Sequence, residues 1–132
     1  MKKIRVAERR KAQRLNIAVP MRYRLYLKKR ALSQPILTDN ISGTGLGLTL
    51  TEPLKKNAKL DVHIYFHDDP KPVVSTSRVA WCKKETKKGL RRFKAGIRHV
   101  EIAPTDRERF VFLFCETMLN YLLGLSGVSK HR

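Results

Sequence analysis

Two groups of residues in this chain have the types and spacing for molecular recognition. Arg10 and Arg14 stand four apart in the run Glu8-Arg9-Arg10-Lys11-Ala12-Gln13-Arg14. A guanidinium is a planar fork: it holds phosphate oxygens in pairs, engages the O6/N7 edge of guanine and stacks on purine faces. Twenty-six residues after Arg14 comes Asn40-Ile41-Ser42-Gly43-Thr44-Gly45, an Asn-x-Ser-x-x-Gly spacing. An amide and a hydroxyl at a strand end can hydrogen-bond a base edge, and a glycine lets a ligand approach the backbone. Taken singly, each group has a plain alternative. Two arginines in a basic tail are ordinary solvated residues, and Asn, Ser and Gly are favoured turn formers.

Other candidates are weaker. His63, His67, Asp68 and Asp69 lie close together in sequence, but no third ligand has suitable spacing, so a solvated turn is expected and no metal. No nucleophile–base–orienter set stands out, and Ser42 has no His nearby in sequence. The chain is therefore read as no enzyme, with no cofactor. Trp81 is expected in the core or as a groove wall. Lys83-Lys84, Lys87-Lys88 and Arg91-Arg92 are read as a solvated hairpin tip, with nucleic acid or partner binding as the lesser alternative.

These residues need a scaffold, and 132 residues with 42% apolar content suffice for one folded domain. The net charge of +18 is uneven: residues 1–30 carry +11, residues 31–70 carry −2 and residues 71–132 carry +9. Such a field attracts anions: nucleotides, nucleic acid, acidic lipid or an acidic protein surface. Cys82 and Cys115, far apart and outside any CxxC, read as reduced core residues of a cytosolic protein. The charged N-terminus has no apolar stretch behind it, and no segment approaches the roughly 18 apolar residues of a membrane span. A cytoplasmic location is expected.

Residues 1–14 lack apolar periodicity and read as a flexible basic arm. From Val19 the pattern alternates, with Val19, Met21, Tyr23, Leu25 and Leu27 on one face, which predicts a half-buried strand. Further strands are expected over residues 35–41, 46–51, 60–66, 73–83 and 92–102, with a basic loop around residues 85–89. Six short strands with regular turn signals predict a mostly β fold, a small antiparallel barrel or sandwich spanning residues 15–103. The period then changes to 3.6. A helix is expected over residues 104–125, with Thr105 as N-cap and Glu108 completing a capping box. Its apolar stripe is wider than one packing contact needs, and Phe112, Leu119 and Leu123 are the outward candidates. Residues 126–132 form a tail.

Together, in this order and at this separation, the two motifs resemble those of the PilZ family. ERRKAQR leads into a strand and NISGTGLGL gives the glycine-rich strand start. Arg78-Val79-Ala80-Trp81 is similar to the family's next recurrent strand, and the stretch from Phe93 through Gly96 to Ile102 to its last strand before the helix. The resemblance runs from residue 8 to about residue 123. It implies a six-stranded antiparallel barrel with a C-terminal helix, and a bacterial receptor for the second messenger cyclic di-GMP. Carried over, Arg10 and Arg14 would contact phosphate and guanine. Asn40 and Ser42 would hold a guanine edge, Gly45 would allow close approach, and Arg9 and Arg98 are additional ligand candidates. There are two departures: Asn40 stands where Asp is common, and His99 stands where Phe is usual, which is expected to loosen the core.

The reading that follows is a non-catalytic cyclic di-GMP receptor whose arm orders on binding and alters a surface for a protein partner. Self-association through the C-terminal helix is a further expectation. Two rivals remain: a basic barrel that binds single-stranded nucleic acid, and a PilZ-like interaction module without ligand. Aromatics are few and most fall on predicted inward faces, so nucleic acid is not the expected partner.

Overall fold

The computed structural model describes residues 15–26, 30–66 and 69–124. The arm with Arg9, Arg10 and Arg14, the tail, and His67 and Asp68 lie outside the described residues. Seven antiparallel strands form one curled sheet: β1 (Pro20–Leu25), β2 (Ile36–Leu37), β3 (Asn40–Ile41), β4 (Gly45–Leu50), β5 (Lys59–Ile64), β6 (Val73–Lys87) and β7 (Leu90–Ile102). One helix follows, α1 (Pro104–Leu122). The spatial order is β2-β1-β5-β6-β7-β4-β3.

The count is seven where six were expected, because the segment expected as one strand over residues 35–41 breaks in two. β2 pairs with β1 at one edge of the sheet, and β3 pairs with β4 at the other. The break lies at Thr38–Asp39. The buried Thr38 hydroxyl accepts the Val19 amide (2.9 Å) and donates to the Ile17 carbonyl (2.8 Å). The next amide, of Asp39, donates to the Gly47 carbonyl on β4 (2.8 Å). Both sheet edges thus belong to one bent segment, which draws them together.

The core follows the period-two pattern. Met21 on β1, Leu46, Leu48 and Leu50 on β4, and Leu60, Val62 and Ile64 on β5 are buried, as are Val73, Val79, Ala95 and Ile97. The alternation on β6 runs Val73, Ser75, Ser77, Val79 inward and then shifts. A register irregularity between Val79 and Trp81 reverses it, so Cys82 packs against the core and Trp81 faces out, 38% exposed. Of the two sequence alternatives for Trp81, the core is excluded.

The expected basic loop over residues 85–89 is instead paired chain. β6 and β7 continue to Lys87 and Leu90 and form a two-stranded ribbon beyond the other strands. Its tip, Lys88 and Gly89, has φ of 54° and 78°. Two consecutive left-handed residues match the right-handed twist of a hairpin, which explains why pairing persists without an apolar face.

α1 begins one residue earlier than its expected cap. Ala103 is the N-cap, with no side-chain cap bond, and Pro104 occupies the first helical position, where no N–H is needed. The start is held by a clasp. Arg109 donates to Asp69 Oδ2 (2.9 Å), to Asp106 Oδ1 (3.2 Å) and to the Lys71 carbonyl (2.8 Å), while Asp106 accepts the Val74 amide (3.2 Å). Phe110 is the helix's buried anchor, with its ring edge-on to Phe66 at 5.8 Å.

His99 does not leave the core loose. Its Nδ1 lies 2.9 Å from the Ser75 hydroxyl, which also bonds Ser77 Oγ (2.8 Å), and its ring sits edge-on to Phe110 at 5.4 Å. The polar ring is satisfied by two serines that face inward beside it. Burial pushes its pKa down to about 4, so the imidazole is neutral near pH 7.

Candidate functional site

The site is built where the chain enters the fold. Leu15 is buried and forms a two-way bridge with Ile41: its amide donates to the Ile41 carbonyl (2.8 Å), and the Ile41 amide returns the bond (2.9 Å). Ile41 lies between Asn40 and Ser42. The bridge therefore fixes the residue that follows Arg14 beside two of the sequence-expected ligand residues. Arg14 is one peptide bond, about 3.8 Å between Cα atoms, from this anchor.

Ser42 is 7% exposed, and its hydroxyl is already engaged. Ser42 Oγ accepts the amides of Thr44 and Gly45, each at 3.2 Å, and the Ser42 amide donates to the Gly45 carbonyl (2.8 Å). This is the turn-forming role that its residue type allows. Gly45 also has a structural reason to be glycine, because a Cβ there would collide with the Ile97 carbonyl oxygen of β7. Its side-chain face is turned to protein, so close approach at this position is to β7.

Asn40 differs. It is half-buried, pairs with Gly47 across β3 and β4, and its amide lies flat over that glycine. A Cβ at Gly47 would come within 2.8 Å of Asn40 Nδ2 and 2.9 Å of Oδ1. Among the described residues, no hydrogen bond engages the Asn40 side chain. It keeps both a donor and an acceptor on the outer face of the sheet.

The register extends this row. Asn40 faces Gly47, Gly47 faces Gly96 and Gly96 faces Trp81. The Trp81 indole lies over Gly96 so closely that a Cβ there would strike Nε1. Two glycines thus make a floor without side chains of its own, covered by the Asn40 amide over Gly47 and by the Trp81 indole over Gly96. The sequence left Trp81 between core and groove wall, because period two carries it inward and only the bulge turns it out. The adjacent row is basic: Gly45 faces the exposed Arg98, and Arg98 faces Arg78. Arg98 therefore sits on the row next to the floor. The arrangement suits a flat heteroaromatic ring with anionic substituents: a wall to stack on, an amide for the ring edge and guanidinium for phosphate.

No group of three or more His, Cys, Asp and Glu that could hold a metal ion occurs among the described residues. No helix among them is long and apolar enough to cross a membrane.

Comparison with known proteins gives three findings. Among solved structures, the fold is similar to that of the inhibitor of motility (MotI/DgrA) of Bacillus subtilis, with a TM-score of 0.63 and 19% identity. The match covers 85% of this chain and 52% of that one, so the chain spans about half the length of that protein. No curated protein matches at the sequence level. The sequence model of the PilZ domain matches residues 8–114, which takes in both motifs and every strand. That match spans most of the chain, which belongs to the PilZ domain family.

Proposed function

We propose that the chain is a non-catalytic, cytoplasmic receptor for cyclic di-GMP, with the ligand held between the arm and the outer face of the sheet. The observation that carries this reading is the Leu15–Ile41 bridge. It joins two motifs separated by 26 residues into one locality, with the arm attached beside Asn40. Arg10 and Arg14 supply the cations for the two phosphates, and Arg9 and Arg98 can add to them. The free Asn40 amide takes a guanine edge, and Trp81 offers its indole face to a base. Ser42 and Gly45 act through the turn that shapes the strand end.

Folding of the arm onto the sheet upon binding would alter the surface that a protein partner reads. The helix offers such a partner, or a second copy, an apolar face: Phe112, Leu119 and Leu123 are 66%, 55% and 61% exposed. Titration calorimetry with cyclic di-GMP tests the reading. Arg10→Ala and Arg14→Ala should each weaken binding by tenfold or more, since charge-assisted hydrogen bonds contribute about 1.5–3 kcal/mol. Undiminished affinity in both variants would remove the arm from the site.

A further inference from the structure

Beyond the dinucleotide site, the outer face of β6 and β7 carries a strip of cations of which the receptor reading uses only Arg98. One end is the cross-strand row Lys59–Arg78–Arg98. The glycine floor and Trp81 come next. Then Lys83 faces Lys94, Glu85 faces Arg92, and Lys87 faces Leu90 at the ribbon tip. From Arg98 to Leu90 the strip is about 26 Å long, at roughly 3.3 Å per residue. Beyond Arg98 it ends in an acidic row, where Asp61 faces Thr76, Thr76 faces Glu101 and Arg24 is already paired with Asp61 (2.9 Å).

Like charges directly opposite one another destabilise a sheet. The strip contains three such pairs, Lys59–Arg78, Arg78–Arg98 and Lys83–Lys94, and its one acid, Glu85, faces Arg92. Asp39, at the neighbouring edge, is taken by the Thr49 hydroxyl (2.6 Å). A bound polyanion would relieve this repulsion. The shape selects the polyanion. A two-stranded ribbon twists more than a sheet interior, so its cations wind about the ribbon axis and cannot all meet a flat lipid surface. A flexible strand can follow them. The exposed indole in the middle of the strip provides what lipid headgroups and acidic peptides do not need: a platform for a base.

We propose that the outer face of β6 and β7, from Arg98 to Lys87 with Trp81 as stacking platform, binds single-stranded nucleic acid. The sequence argued against this partner because aromatics are few and most fall on predicted inward faces; the outward Trp81 supplies an exposed ring on the strip itself. The strip shares Trp81 and Arg98 with the dinucleotide site, but its cations from Lys83 and Lys94 to Lys87 lie outside that site, so either can exist without the other.

The test uses the full chain and a labelled oligothymidylate of about 12 nucleotides, within the range of roughly 4–16 for such surfaces. Anisotropy is followed from low to about 0.3 M salt. Binding should weaken with salt by about 0.7 log units per log unit for each phosphate contact, so each cation is worth about fivefold at 0.1 M salt. Lys83→Gln with Lys94→Gln should cost about 25-fold and lower the salt slope by about 1.4. The same charge change at the opposite end of the fold, Lys71→Gln with Arg107→Gln, should cost under about threefold. Trp81 is the chain's single tryptophan, so its fluorescence should be quenched on binding. Trp81→Ala should weaken binding by about fivefold or more, and Trp81→Phe by less. Circular dichroism checks that each variant is folded. Equal loss from the two charge pairs, polyglutamate or phosphatidylserine vesicles binding as well as the oligonucleotide, or unquenched Trp81 would each overturn the proposal. A parallel cyclic di-GMP titration of the Lys83/Lys94 variant should be unchanged, which separates this site from the receptor reading.

Discussion

Gly47→Ala should disable the receptor without damaging the fold. The added Cβ would lie 2.8 Å from Asn40 Nδ2 and 2.9 Å from Oδ1. Ordinary contact begins near 3.5 Å, so the amide must move by about 0.6 Å or swing to another rotamer. The obstacle is the far end of a side chain with no bond to break, so the cost in stability is small. Removing glycine from the unfolded chain returns about 0.4–1 kcal/mol. Binding should respond differently. Two neutral hydrogen bonds to a guanine edge, each about 1 kcal/mol, correspond to a loss between about 5- and 30-fold in affinity when one or both are misplaced. Calorimetric titration with cyclic di-GMP should be run as a cycle with Asn40→Ala. If Gly47 acts through Asn40, Gly47→Ala has no further effect once the amide is gone. An equal loss in both backgrounds, or none in the wild type, would refute the assignment of Asn40 as the free reader of the floor.

Other expectations follow from the same geometry. With its folded pKa pushed down to about 4 against an ordinary value near 6.5, His99 takes up a proton in the unfolded state before the folded state does. Stability therefore falls as pH drops from about 6.5 to 4, by on the order of 2 kcal/mol near the lower end relative to neutrality. His99→Phe should remove that share, read from urea midpoints at both pH values. Arg109→Ala should loosen the first turns of α1, seen as faster amide exchange there. Arg109→Lys should restore little, because one ammonium cannot span Asp69, Asp106 and the Lys71 carbonyl. Leu119→Glu with Leu123→Glu should abolish any self-association seen by sedimentation. A wild type that stays monomeric at high concentration would leave that helix face to a different protein.

Much of the fold was legible because apolar alternation is a direct image of burial. Leu46, Leu48 and Leu50, or Leu60, Val62 and Ile64, could face only one way. Three features were not legible, each for a physical reason. The break in residues 35–41 depends on the Thr38 hydroxyl bonding Val19, 19 residues away, which no local pattern records. The ribbon over residues 83–94 has no apolar face, and its pairing rests on backbone bonds and a left-handed turn. Trp81 stayed open between core and groove wall because one extra residue in β6 inverts every later side chain. At the site, the spacing of Asn40, Ser42 and Gly45 was visible, but their separate duties were not. Ser42 and Gly45 are occupied by the fold, and only Asn40 is left free.

The corner at Thr38 bears on solubility. An open sheet presents unpaired amides and carbonyls at both margins, and such margins recruit other chains into aggregates or swapped domains. Here the two margins are consecutive pieces of one segment, so Thr38 and Asp39 retire both at once. The same economy makes the protein vulnerable at one point. Losing the Thr38 hydroxyl would strand the buried Val19 amide and free β2, and β3 would lose its tether on that side. A change of one atom group could expose two sticky edges together, and the arm that enters beside β3 would lose its mooring with them.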